Sequence, residues 1–239
     1  MNAMTSPAPG WLIDLDQGPE PYVRGWALQR ELVRARQNGA APDTLVLLEH
    51  QPVVTLGRSA EQAHLLLSRE ALAARGIELF EVERGGSVTY HGPGQLVGYP
   101  ILDLRGFGED VGKYVRTLEA SIIATLAEFG IEAARTPGYP GVWVGDAKIC
   151  ALGVAIKRHV TMHGFALNVA TDLDAFGVIN PCGLGRPVTS MAAVLGRPVD
   201  LRDVRRAYAG WFSRSFGLPL ERVPPNAVEA ALHGALTGT

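Results

Sequence analysis

Apolar residues change their period part-way along this chain, and that change limits the architectures open to it. Residues 77–83 (IELFEVE) alternate apolar and polar, as a strand with one wet face does. Residues 109–129 instead place Val111, Val115, Leu118, Ile122, Leu126 and Phe129 three and four apart, which lines one face of a helix. Gly130 follows as a helix stop. Upstream, residues 43–56 (DTLVLLEHQPVVTL) hold two short apolar runs split by Gln51-Pro52, and these read as two strands. Residues 87–91 and 96–104 are strand-like around a His91-Gly92-Pro93-Gly94-Gln95 loop. Residues 141–145 and 148–157 form a hairpin about Gly145-Asp146, and 159–169 is a further strand. A helix over 200–216, capped by Asp200, buries Val204, Tyr208 and Trp211 or Phe212. A short helix near 225–235 ends the pattern. This order lacks strict βαβ alternation and predicts an α+β fold, a mixed or antiparallel sheet flanked by helices. No repeat or linker interrupts residues 1–239, so one domain is expected, with residues 1–10 loose at its start.

Composition narrows the function classes. Hydrophobic residues make up 47% of the 239 and charged residues 19%, which suits a folded chain with a sizeable core. A net charge of −2 gives no reason to expect a nucleic-acid partner. The N-terminus lacks the basic and apolar segments of a signal peptide, and no apolar run approaches the ~20 residues that span a bilayer. A cytoplasmic protein without a membrane partner is the expectation, and a monomer the expected state. Two cysteines, Cys150 and Cys182, are too few for a disulfide-stapled domain and read as reduced thiols.

Several familiar sites fail on spacing. Gly108 to Lys113 has three residues between its glycines where a P-loop needs four, and Tyr114 stands where Ser or Thr is required. Gly92 to Gly98 misses the dinucleotide fingerprint by one residue. Gly85-Gly86-Ser87-Val88-Thr89 lacks the last glycine of a nucleophile elbow. His159 and His163 lie on a strand, where a four-residue step is ~13 Å, too far for one metal. Neither a metal nor a cofactor is expected.

Three segments then stand out. Arg84-Gly85-Gly86-Ser87-Val88-Thr89-Tyr90-His91 combines paired glycines, which admit a ligand close to the backbone, with polar groups at both ends. Its plainer reading is a hairpin turn with a surface arginine. Lys148 sits in the otherwise apolar run Ala147 to Gly153. It is either a snorkelling lysine or, if it points inward, a candidate base. Cys182 lies between Pro181 and Gly183 in a loop, which favours access to its sulfur. Its rival Cys150 lies in an apolar strand, where cysteine behaves mostly as a small hydrophobe.

These stretches resemble one known family. Glu49-His50-Gln51-Pro52-Val53 with Gly57-Arg58, RGGSVTYHGPGQLVGYPILDL from Arg84, GDAKICALG from Gly145, HGFALNV from His163 and NPCG from Asn180 are similar to lipoyl(octanoyl) transferases, over about Asp43 to Gly217. The sequence departs from that pattern at no position where the family carries chemistry. The resemblance implies the fold of the catalytic domain of biotin protein ligases and lipoate–protein ligases. It implies an acyltransferase of lipoate synthesis that takes octanoyl groups from octanoyl-acyl carrier protein. The implied acceptors are lipoyl domains of 2-oxoacid dehydrogenases and the glycine-cleavage H protein. Cys182 matches the acyl-thioester cysteine and Lys148 the lysine that tunes it. The substrate-binding segments fall on Arg84 to His91, on Ala151, Leu152 and Gly153, and on Gly164, Phe165 and Ala166.

Several finer expectations follow. Val88, Tyr90, Leu152 and Phe165 line the acyl pocket. Backbone N–H groups at Leu152 and Gly153 face an oxyanion. Arg58 and Arg84 meet the acidic carrier. An ATP-dependent ligase and a Cys-His thioesterase using His91 are the alternative activities.

Overall fold

The computed structural model describes residues 8–180 and 186–228. Its strands are β1 (Gly10–Asp14), β2 (Thr44–Leu48), β3 (Val53–Leu56), β4 (Glu78–Glu81), β5 (Val88–His91), β6 (Gln95–Ile101), β7 (Ala134–Thr136), β8 (Tyr139–Val144), β9 (Ala147–Lys157), β10 (Val160–Asn168) and β11 (Leu220–Arg222). Its α-helices are α1 (Tyr22–Gln37), α2 (Arg69–Ala73), α3 (Val111–Glu128), α4 (Met191–Leu195) and α5 (Leu201–Phe216). Eight strands form one sheet in the order β11-β1-β2-β6-β10-β9-β8-β7, and β4-β3-β5 form a second. In the large sheet β1 runs parallel to β2 and β11, while β2-β6-β10-β9-β8-β7 is antiparallel throughout. The sheet is therefore mixed, as the α+β reading expects.

Both faces of the large sheet are covered, which is why β2 and β6 are buried at every position instead of alternating. All five residues of β2 are buried. Leu45 and Leu47 pack with α3 and α5 through Leu118, Ile122, Leu126, Tyr208 and Phe212. Val46 and Leu48 turn to the other face and meet Leu32 and Val33 of α1. Each such side chain contributes roughly 1.5–3 kcal/mol when fully buried. Asp200 caps α5 as expected, its carboxylate accepting from Arg202 N–H at 2.8 Å.

Four differences from the sequence reading have local causes. The helix α1 carries Gly25 and Gln29 on its buried stripe with Tyr22, Leu32 and Val33, so its apolar period is broken. The β6 strand ends at Ile101, because Asp103 caps a 3₁₀ turn over Leu104–Phe107 that takes the chain off the sheet. His159 stands in the turn between β9 and β10 at φ +68°, not in a strand. At the N-terminus, Gly10 is already tied into β1, its N–H donating to Pro219 O at 2.8 Å. The helix expected over 225–235 is described only to residue 228.

Candidate active site

A cavity of about 480 Å³ lies between β9 and β10 of the large sheet on one side and β5 with the preceding Arg84–Ser87 loop on the other. The antiparallel register sets Ala151, Leu152 and Gly153 opposite Ala166, Phe165 and Gly164, and all six line the cavity. The facing wall is Arg84, Gly85, Gly86, Ser87, Val88, Thr89 and His91. The loop is fastened to β9 by Gly85 N–H donating to Val154 O at 2.9 Å. Residues from Arg84–His91, Ala151–Gly153 and Gly164–Ala166, singled out from sequence, thus border one cavity.

Two side chains sit otherwise than expected. Tyr90 is buried away from the cavity, its ring edge-on to Phe176 at 5.4 Å, so Val88, Leu152 and Phe165 remain as the apolar lining. Arg84 is 7% exposed and its guanidinium donates to Thr55 O at 2.7 Å and to Thr55 Oγ1 at 2.9 Å. A buried arginine committed to β3 cannot receive a carrier protein at the surface; Arg58 is exposed.

Lys148 lines the same cavity, with its ammonium 4.8 Å from the centre of the Trp143 ring. Its backbone ties down the segment that follows the cysteine loop. Lys148 N–H donates to Pro187 O at 2.9 Å, and Thr189 N–H donates to Lys148 O at 3.0 Å. On the upstream side Asn180 N–H donates to His64 O at 2.8 Å. Cys182, with Pro181 and Gly183, lies outside the described residues. Cys150 is fully buried in β9, and burial pushes its thiol well above the ordinary thiol range. A thiolate there is disfavoured, which removes the rival nucleophile on physical grounds.

Polar groups that sequence reasoning passed over organise the wall around His91. Gln95 donates through Nε2 to Tyr90 O and to Asn168 Oδ1, so its Oε1 accepts from His91 Nδ1 at 2.8 Å. Asn168 Nδ2 in turn donates to Thr189 O at 3.0 Å. The line runs from His91 to the segment beside Lys148. Burial lowers His91 to about 3, so it is neutral near pH 7 with Nε2 as an acceptor. His50 is lowered to about 4, also by burial, and its Nε2 lies 2.6 Å from Tyr99 Oη. His163, at φ +56° within β10, is held by Gln29 of α1, whose Oε1 accepts His163 N–H at 2.7 Å. The available signal was a Gln and an Asn at the ends of two largely apolar strand runs, Gln95 opening β6 and Asn168 closing β10.

The two oxyanion candidates separate on strand geometry. Backbone groups alternate sides along a strand. Val154 O is turned to Gly85, so Leu152 N–H faces that same open edge, while Gly153 faces its partner Gly164 in β10. Gly153 N–H is thus turned into the sheet and Leu152 N–H toward the side of the Arg84–Ser87 loop.

The sequence profile of the lipoyl protein ligase A/B catalytic domain matches residues 21–213. The chain belongs to this family. A relative named octanoyltransferase, from Solibacter usitatus, is 52% identical over 210 residues, covering 88% of this chain and 94% of its own. The family is one of acyltransferases and ligases, and the relatives at this level of identity are acyltransferases by name. In fold, the chain is similar to a structure from an archaeal lipoylation system, described as a bi-partite lipoate protein ligase and its E2 lipoyl domain from Thermoplasma acidophilum. That likeness has a TM-score of 0.72 at 19% identity, over 97% of this chain and 93% of the other. It is also similar to a biotin protein ligase mutant from Aquifex aeolicus in complex with biotin, with a TM-score of 0.52 at 15% identity over 87% and 70%. The family's fold expected from sequence is the one observed.

Proposed function

We propose that this chain moves an octanoyl group from octanoyl-acyl carrier protein to a lysine of a lipoyl-domain protein through a thioester on Cys182. The observation that carries the reading is the placement of Lys148. Its ammonium stands at a largely apolar cavity while its own backbone holds Pro187 and Thr189. Pro187 is five residues from Cys182, a span of at most ~18 Å of chain. The high identity to octanoyltransferases supports the acyl group.

The chemistry follows. The Cys182 thiolate adds to the carbonyl carbon of the donor thioester, and Leu152 N–H faces the oxyanion that forms. Collapse breaks the bond to the donor sulfur, which leaves as a thiol with the proton of the Lys148 ammonium. The acceptor's lysine amine then adds to the Cys182 thioester. Neutral Lys148 takes the proton lost by that nitrogen, and Cys182 departs as thiolate, leaving an amide. Thioester to thioester is nearly isoenergetic and thioester to amide is downhill, so no ATP enters. Burying about six methylenes along Val88, Leu152 and Phe165 is worth about 5 kcal/mol, enough to select chain length. Lipoyl domains are the proposed acceptors, supported by the lipoyl-domain partner of the Thermoplasma ligase.

The test is to mix the protein with octanoyl-acyl carrier protein without ATP and map the adduct by peptide mass spectrometry. An octanoyl group on Cys182 that moves to an added lipoyl domain is the expected result. An adduct on Cys150, or none, would falsify the assignment. Activity in Cys182→Ser that needs octanoate and ATP points to a ligase, and release of free octanoate points to a thioesterase.

A further inference from the structure

We infer that Trp143 is a positioning residue that seats the Lys148 ammonium, and that it does so on the same aromatic platform that holds Arg186. The inference rests on the transferase reading for its catalytic meaning, though not for its geometry.

A register shift in the β8–β9 ladder lies between Val142 and Trp143. Val142 pairs with Cys150, but Trp143 pairs with Lys148 in place of Ile149. The shift puts the indole and the lysine directly across from one another, with side chains on one face. Trp143 is 2% exposed and its Nε1 donates to Tyr139 O at 3.3 Å, so the ring cannot swing. The Lys148 ammonium sits 4.8 Å from the ring centre, inside cation–π range. Gly141, at φ +132°, lets the two strands close up here: a Cβ would come within 2.7 Å of Cys150 O, while the Lys148 stem passes at ordinary contact distance.

The second half of the platform is Tyr139, whose ring is edge-on to Trp143 at 6.5 Å. The Arg186 guanidinium lies 4.7 Å from the Tyr139 ring centre and 5.3 Å from that of Trp143. Arg186 is four residues from Cys182 in sequence. One indole therefore fixes two cations, Lys148 of β9 and the first described residue after the cysteine loop. A buried tryptophan in an apolar core needs neither cation. The arrangement sets the lysine's nitrogen against the chain that leads to the nucleophile, where a displacement of an ångström costs rate.

The chain has three lysines, Lys113, Lys148 and Lys157, which makes the seat directly observable. Reductive methylation with ¹³C-formaldehyde gives each lysine a dimethylammonium resonance that keeps its charge. In the wild type, the Lys148 resonance is displaced upfield by the indole ring current. Trp143→Phe keeps part of that displacement and Trp143→Leu abolishes it, with Lys113 and Lys157 unmoved. In single-turnover acylation of the unmethylated enzyme, Trp143→Leu slows adduct formation at Cys182 at least tenfold, with half-saturating donor within twofold. Trp143→Phe stays within threefold of wild type. Arg186→Gln leaves the Lys148 resonance in place and slows acylation less than Trp143→Leu does.

An unshifted Lys148 resonance in the wild type overturns the inference. So does acylation at wild-type speed in Trp143→Leu, or equal losses in the Phe and Leu variants together with a lowered melting temperature. If wild-type enzyme forms no Cys182 adduct, the transferase reading falls, and the resonances still decide whether Trp143 seats Lys148.

Discussion

Phe165 lies directly over Gly98 across the β6–β10 pair, and a Cβ at Gly98 would collide with its ring. The ring is also tilted against Tyr208 of α5 at 4.5 Å, so it is gripped from both sides while it lines the cavity. Gly98→Ala is expected to drive the ring into the cavity and shorten the preferred acyl chain. Phe165→Ala should cost 3–5 kcal/mol of stability, roughly, and extend the preference to longer chains. Transfer rates across a series of acyl-carrier thioesters check both, and an unchanged preference in Phe165→Ala removes that ring from the acyl pocket. At this scale the sequence displays chemical types and hides directions. Lys148 and Cys182 could be singled out because each is an odd residue in its setting. Arg84 could not be told from a surface arginine, because its partner Thr55 lies 29 positions away. Tyr90 has the right type for the pocket but is buried against Phe176 instead.

The helix α5 carries half of one core face through Val204, Tyr208 and Phe212, and its start is fixed by Asp200. Asp200→Ala removes the N-cap acceptor, while Asp200→Asn keeps it and loses only the exposed pair with Arg202. Urea midpoints should therefore fall for the alanine variant and hardly move for the asparagine one. Elements with a clean period, such as α3 and α5, were legible from the chain. The helix α1 was not, because its buried face spends one position on Gln29 to hold His163 N–H. Strands β1 and β11 escaped for a different reason. They are three to five residues long and pair parallel across nearly the whole sequence, which no local pattern reveals.

Across the whole molecule, acid stability is set by histidines that fold in neutral. His91 and His50 have folded values of about 3 and about 4, against ~6.5 in an unfolded chain. Between those limits the unfolded state binds more protons, so stability is complete above pH ~6.5 and is lost as pH falls toward 4. At pH 5 each histidine accounts for up to about 2 kcal/mol, and the two act as a coupled pair. Denaturant midpoints at pH 7, 6 and 5 should decline steadily, and His91→Gln should flatten the decline. A flat profile in the wild type rules out neutral burial of these rings. Carboxylates held low by partners, such as Glu83 beside His163, add their loss only at lower pH.

The cavity lies between two sheets that do not share a ladder. The loop ahead of β5 is tied to β9 by the Gly85 to Val154 bond. An acyl chain lying between them touches both and acts as a cross-brace. The loaded enzyme should then exchange the amide hydrogens of β3 and β5 more slowly than the empty one, and melt later. Each turnover would stiffen the molecule when the chain arrives and slacken it when the product leaves.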